Sequence, residues 1–202
     1  MSSNNILVIP EYIMDSNCYL IGDMLVDTGT GTNKDYLVSQ LEKYGVRIED
    51  INLVVNTHCH FDHIGGNHFF ENAEIAVHSL DAVSMRNKDT LGTMGNAFLD
   101  EDNSRVDIEL KDGDKIGGFE VIHTPGHTSG GICLWDGVNL ISGDTVFANG
   151  GVGRTDIGGN WGDLKESVFR LTELNVVNLL PGHGPVVKGN GYEHINLSYS
   201  YL

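Results

Sequence analysis

The segment Thr57-His58-Cys59-His60-Phe61-Asp62-His63 places four candidate metal ligands within six residues. In an extended chain His58 and His60 share one side, and Cys59 faces the other. Asp62 and His63 then begin a helix and turn toward a neighbouring position. Imidazole and carboxylate are the donors that zinc and its borderline neighbours take. Crowded on one short loop, these side chains would repel or desolvate one another without a cation. Three further ligand-type residues each follow a predicted strand: His127 in HTPGHTSGG, Asp144 in ISGDTVF and His183 in LLPGHGP. Glycine or a Pro-Gly step presents each one at a turn. Singly, a His or Asp after a strand is an ordinary turn or capping residue. Together, the five imidazoles and two carboxylates divide into a site of three His and a site of Asp plus two His, with one carboxylate left to bridge.

The remaining histidines read differently. His68 and His78 occupy ordinary helix and strand positions, and His194 lies in the C-terminal tail. His123 stands four residues before His127 and is assigned a structural role or a supporting hydrogen bond to a ligand. Cys59 reads as a buried thiol rather than a ligand.

The elements that must present these groups are short strands. ILVIP (6–10), CYLIG (18–22) and MLVDT (24–28) are β-rich, with Gly22-Asp23 as a hairpin turn. Residues 34–44 carry helical spacing and end at Gly45. INLVVNT (51–57), AEIAVHS (73–79), RVDIEL (105–110), FEVIHT (119–124), ICLWD (132–136), VNLIS (138–142) and VVNLL (176–180) read as strands, and LKESVFRL (164–171) as a helix. Residues 81–103 read as helical or mixed. Within them, 85–99 carry Met85, Leu91, Met94, Phe98 and Leu99 with two glycines, a pattern that suits an apolar lid or a helix packed on the sheet.

The 202 residues suit one domain, 1–202, with a sizeable core. Twelve Lys and Arg against 28 Asp and Glu give a net charge of −16, which disfavours nucleic acid and anionic membranes as partners. The three cysteines match no disulfide framework, and the N-terminus shows neither a signal peptide nor a span. The expectation is a cytoplasmic protein with a small-molecule substrate; the oligomeric state is not legible.

At these residues the sequence resembles the metallo-β-lactamase superfamily. THCHFDH matches its His-x-His-x-Asp-His signature, and His127, Asp144 and His183 follow in the expected order over nearly the whole chain. NTHCHFDHIGGNHFF, HTPGHTSGG, SGDTVFANGGVGRTDIGG and LLPGHGP look most like glyoxalase II and its small relatives. The resemblance implies an α/β fold, a four-layer αββα sandwich with the site at one edge of two sheets. It implies metal 1 on His58, His60 and His127, metal 2 on Asp62, His63 and His183, and Asp144 as the bridge. Zinc is the first choice of metal, with iron or manganese as alternatives. Asp27 in LVDTG would hydrogen-bond to a ligand, and Arg154 and Asp156 in GRTD would form an ion pair near the site. Only 19 residues follow His183, too few for the helical domain with which glyoxalase II helps bind glutathione.

The implied activity is hydrolysis. Two metals about 3.5–4 Å apart can share a water and ionise it near neutral pH. Asp62 would orient that bridging hydroxide as a catalytic residue as well as a ligand. A thiolate, with a pKa near about 8.5, leaves without a strong acid, whereas an alkoxide or amine needs help. Thioester cleavage is therefore the leading expectation, with a lactone or other activated ester as an alternative. The rivals are a mononuclear iron persulfide dioxygenase, a nuclease of the same superfamily, and a non-catalytic metal-stabilised binding domain. Three protein ligands per metal leave room for water, unlike a closed structural site.

Overall fold

The computed structural model describes residues 5–95 and 104–202. Two sheets form the centre. The first contains β1 (Leu7–Ile9), β2 (Cys18–Ile21), β3 (Met24–Val26), β4 (Leu53–Val55), β5 (Glu74–His78) and β6 (Ile108–Leu110), adjacent in that order. β1 to β3 pair antiparallel, and β3 to β6 parallel. The second contains β7 (Lys115–Ile116), β8 (Phe119–His123), β9 (Ile132–Trp135), β10 (Asn139–Gly143) and β11 (Asn178–Pro181), all antiparallel except β10 with β11.

The alternation of side chains along each strand builds the layers. Tyr19, Val26, Val55 and Ala76 of the first sheet pack against Phe119, Val121, Leu134 and Ile141 of the second, forming the central core. Their neighbours point the other way. Leu20, Leu25, Val54 and Ile75 pack against Leu37 and Leu41 of α1 (Lys34–Lys43). Ile122, Cys133 and Leu140 pack against Leu164, Val168 and Leu171 of α4 (Trp161–Thr172) and Ile195 of α5 (Gly191–Tyr201). Strands buried on both faces read as continuous apolar runs, as these do. The result is the expected αββα sandwich, completed by α2 (Phe61–Ile64) and α3 (Ser79–Arg86).

Two elements depart from the sequence reading. The C-terminal segment is the helix α5, so His194 sits in a helix, where its Nδ1 accepts the Asn149 amide at 2.8 Å. β7 spans two residues, too short for any periodicity. His68 lies in a short 3-10 turn, and His78 ends β5 and caps α3 by accepting the Leu80 amide. Met85 is packed in a cluster with Cys59, Ile64, Val77 and Ala82, so α3 is a packed helix. Met94 lies at the mouth of the site described below; Phe98 and Leu99 fall outside the described residues. No described helix is long and apolar enough to cross a membrane.

Candidate metal centre

All the predicted ligands converge at one end of the two sheets. After β4 the chain bends at Thr57 and His58, is extended again at His60, and enters α2 immediately. His58, His60 and His127 form one group, and Asp62, His63 and His183 another; in each, the ligand atoms lie within 4.8 Å of one another. Cys59, between two of them, turns into the apolar cluster with Val77 and Met85, as the alternation requires. Asp144 follows β10, where Gly143 adopts φ 47° at a register shift between β10 and β11. His183 follows β11 on the turn Pro181-Gly182. A β-carbon at Gly182 would collide with the Asp144 carboxylate and the His63 ring, so only glycine lets this turn close on the site.

The two groups are contiguous. His60 Nδ1 lies 2.9 Å from His127 Nε2 in the first, and His183 Nε2 lies 3.1 Å from Asp62 Oδ2 in the second. Asp144 stands between them: Oδ2 is 3.5 Å from His127 Nε2 and 3.6 Å from His183 Nε2, while Oδ1 is 3.4 Å from His63 Nε2. Burial drives the His58 pKa well below the ordinary imidazole range, reinforced by His63 and His60, and takes His60 to about 3. His63 goes the other way. Burial opposes its charge, but the carboxylates of Asp27, Asp144 and Asp62 together hold its pKa well above that range. Burial likewise opposes ionisation of Asp62, but His63 and His183 keep its pKa low.

These residues fit a pair of divalent cations. Among the described residues, the buried side-chain polar atoms without a hydrogen-bond partner are His58 Nε2, His60 Nε2, His63 Nε2, Asp144 Oδ1 and Ser16 Oγ. Four of the five belong to this cluster. An orphaned buried polar atom costs roughly 1–3 kcal/mol, and cations accepting lone pairs of His58 Nε2, His63 Nε2 and Asp144 Oδ1 would remove that cost at those three atoms. The donor set is imidazole and carboxylate without thiolate, which suits zinc, iron or manganese.

The outward nitrogens are held in turn. Asp27, buried and at φ 60°, accepts from the Thr57 amide and hydroxyl and lies 2.8 Å from His63 Nδ1. The Arg154 carbonyl accepts from His127 Nδ1 at 2.7 Å, while the Arg154 guanidinium forms an exposed bidentate pair with Asp156. The ion pair is present, and it is the backbone of Arg154 that reaches His127. His123 makes its contacts elsewhere: its ring stacks on His78 with centroids 4.0 Å apart, and Nε2 meets the Ser129 carbonyl.

Two supports had no signal in the sequence. Asp81, 1 % exposed, accepts from the Cys59 amide at 3.0 Å, the Thr128 hydroxyl at 2.8 Å and the Gly130 amide at 2.7 Å. It thereby ties the His58–His60 loop to the loop that carries His127. In the sequence it is only an acidic residue in the first turn of a helix. Asp81→Ala would leave three buried donors unpaired, and a loss of about 3 kcal/mol in urea-unfolding stability is expected. The second support, Glu11, lies 3.1 Å from His183 Nδ1.

The cluster opens into a cleft of about 490 Å³ whose remaining wall includes Met14, Phe61, Met94, Phe147, Val152 and Arg154.

This chain belongs to the metallo-beta-lactamase superfamily, whose profile matches residues 13–183. It is 35 % identical over 195 residues to the probable metallo-hydrolase MJ0888 of Methanocaldococcus jannaschii, covering 90 % of this chain and 93 % of that one. It is 31 % identical to the acyl-coenzyme A thioesterase MBLAC2 of Gallus gallus (80 % and 68 % covered) and 29 % identical to an N-acyl homoserine lactonase of a Bacillus species (64 % and 62 %). Among solved structures it is similar to TTHA1623 in a di-iron-bound form, with a TM-score of 0.79 and 25 % identity over 97 % of this chain and all of the other. The chain is accordingly a metallo-hydrolase of this superfamily with a candidate metal-binding His/Asp cluster.

Proposed function

We propose that the whole chain acts as one dinuclear metal-dependent thioester hydrolase, glyoxalase II-like in its chemistry, with the seven cluster residues as ligands and zinc as the metal. The observation that carries this reading is the composition of the cleft. Apart from the ligands themselves, the described residues lining it are apolar, glycine, or Arg154, whose guanidinium is paired with Asp156. Among these, none offers a proton to a departing alkoxide or amine. A thiolate needs none, because its conjugate acid has a pKa near about 8.5. The similarity to an acyl-coenzyme A thioesterase supports the same class.

When bound, the metals supply Lewis acidity that ionises water near neutral pH and polarises the acyl carbonyl. The protein supplies the geometry. Asp62 lines the cleft and its carboxylate is kept ionised, so it can accept a hydrogen bond from the attacking water and direct it. Asp144 sets the spacing of the two groups. Asp27 and the Arg154 carbonyl fix the ring orientations of His63 and His127, which keeps their inward nitrogens free to ligate.

A lactone is the second reading, supported by the similarity to an N-acyl homoserine lactonase. Metal analysis with a panel of thioesters, lactones and phosphodiesters tests both. Two equivalents of metal and cleavage of lactoyl-glutathione or simpler thioesters are expected. Chelation is expected to abolish turnover while the far-ultraviolet circular dichroism is retained, because the three main apolar clusters form without the ligands. Full activity in metal-free protein would refute the mechanism. One iron per chain with oxygen uptake on a persulfide would replace it with dioxygenase chemistry.

A further inference from the structure

Each position in the cluster has its own kind of outer support. In the first group the partners are neutral: the Thr57 hydroxyl lies 3.1 Å from His58 Nδ1, and the Arg154 carbonyl accepts from His127. In the second group both histidines face carboxylates, Asp27 behind His63 and Glu11 behind His183. A carboxylate behind a ligating imidazole fixes its tautomer and raises its basicity. Asp27 is sealed in the interior, at 2 % side-chain exposure; Glu11 is 41 % exposed, and His183 itself is 32 % exposed.

Glu11 is well placed for this task. Its other oxygen, Oε1, accepts the Gly184 amide, so one carboxylate grips both the ring and the following backbone. Its own amide donates to Asn17 Oδ1, and Asn17 Nδ2 donates to the carbonyls of Pro181 and Gly184. The loop after β1 therefore grips the turn that carries His183 from across the two sheets. The same loop contributes Met14 to the cleft wall and holds Ile13 at φ 60°, a conformation a β-branched residue rarely adopts.

We infer that Glu11 is a positioning residue that sets the affinity of the second metal position through His183, and that this position is the exchangeable one. The inference rests on the metal-dependent reading above. It assigns the first group, with His58, His60 and His127 all buried, as the tight position.

Cobalt(II) titration of the full chain, followed by ligand-field absorption and chelator competition, tests this without reference to turnover. In Glu11→Ala the tighter equivalent is expected to bind as in the parent, while the weaker one loses about 10–100-fold in affinity and its absorption band shifts. Glu11→Gln keeps an acceptor and is expected to fall between the two. Thermal midpoints recorded alongside report folding. An unchanged second equivalent in both variants, or equal weakening of both equivalents, would overturn the inference. A parent that binds two cobalt ions yet cleaves no ester overturns the hydrolase reading alone, whereas a parent that binds fewer than two overturns both.

Discussion

Asp144→Ala is expected to fold, to lose its full complement of metal, and to lose more activity than any other single change. Asp144 is a carboxylate within reach of both groups, 3.4–3.6 Å from His63, His127 and His183. Burial opposes its charge, yet His63, His183 and His127 hold its pKa well below the usual carboxylate range. Its removal leaves crowded imidazoles without the anion that balances two cations. Losing an outer partner of a ligand costs about 10–100-fold in affinity or activity; losing a shared ligand should exceed that range. Asp144→Asn separates charge from shape, since the amide matches the carboxylate in size. Both variants are expected to bind at most one metal ion by elemental analysis. Retention of two ions with normal turnover would show that the carboxylate is not the bridge.

The strands and the residues of the cluster are legible because their signals are local. THCHFDH is contiguous, and the later ligands each sit a few residues past an apolar run, at a glycine. The supports are a different matter. Asp81 meets Gly130 across 49 residues of sequence, and Glu11 meets His183 across 172. Neither residue carries a local pattern that distinguishes it from a surface acid. The helix α5 escaped for a related reason. It buries only Gly191, Ile195 and Ser198, so its apolar face is thin, and contacts with α4 and the 148–150 turn hold it in place. Asp27 was recognised through resemblance, although its geometry shows why an acid belongs there: the backbone is left-handed, which Asp and Asn tolerate better than most residues.

That geometry makes Asp27→Asn the most discriminating change after those at Asp144. Asparagine keeps the volume and accepts φ 60°, so backbone strain drops out of the comparison. What changes is one oxygen. Asp27 Oδ1 accepts the Thr57 amide at 2.8 Å, and Oδ2 faces both the Thr57 hydroxyl and His63 Nδ1 at 2.8 Å. If the amide oxygen stays on the Thr57 amide, the NH₂ group must face His63 Nδ1. That nitrogen must then accept, which moves the ring proton to Nε2, the atom that points at Asp62 and Asp144. A protonated Nε2 has no lone pair to give a metal. The variant is therefore expected to lose the second ion and about 10–100-fold in activity while keeping the first. Asp27→Ala adds unpaired buried donors and should also cost roughly 3 kcal/mol in urea unfolding. The decisive measurement is the pair of metal affinities in Asp27→Asn. If both stay at the parent values, the proton on His63 is not set by this carboxylate, and the case for Glu11 acting on His183 by the same chemistry weakens with it.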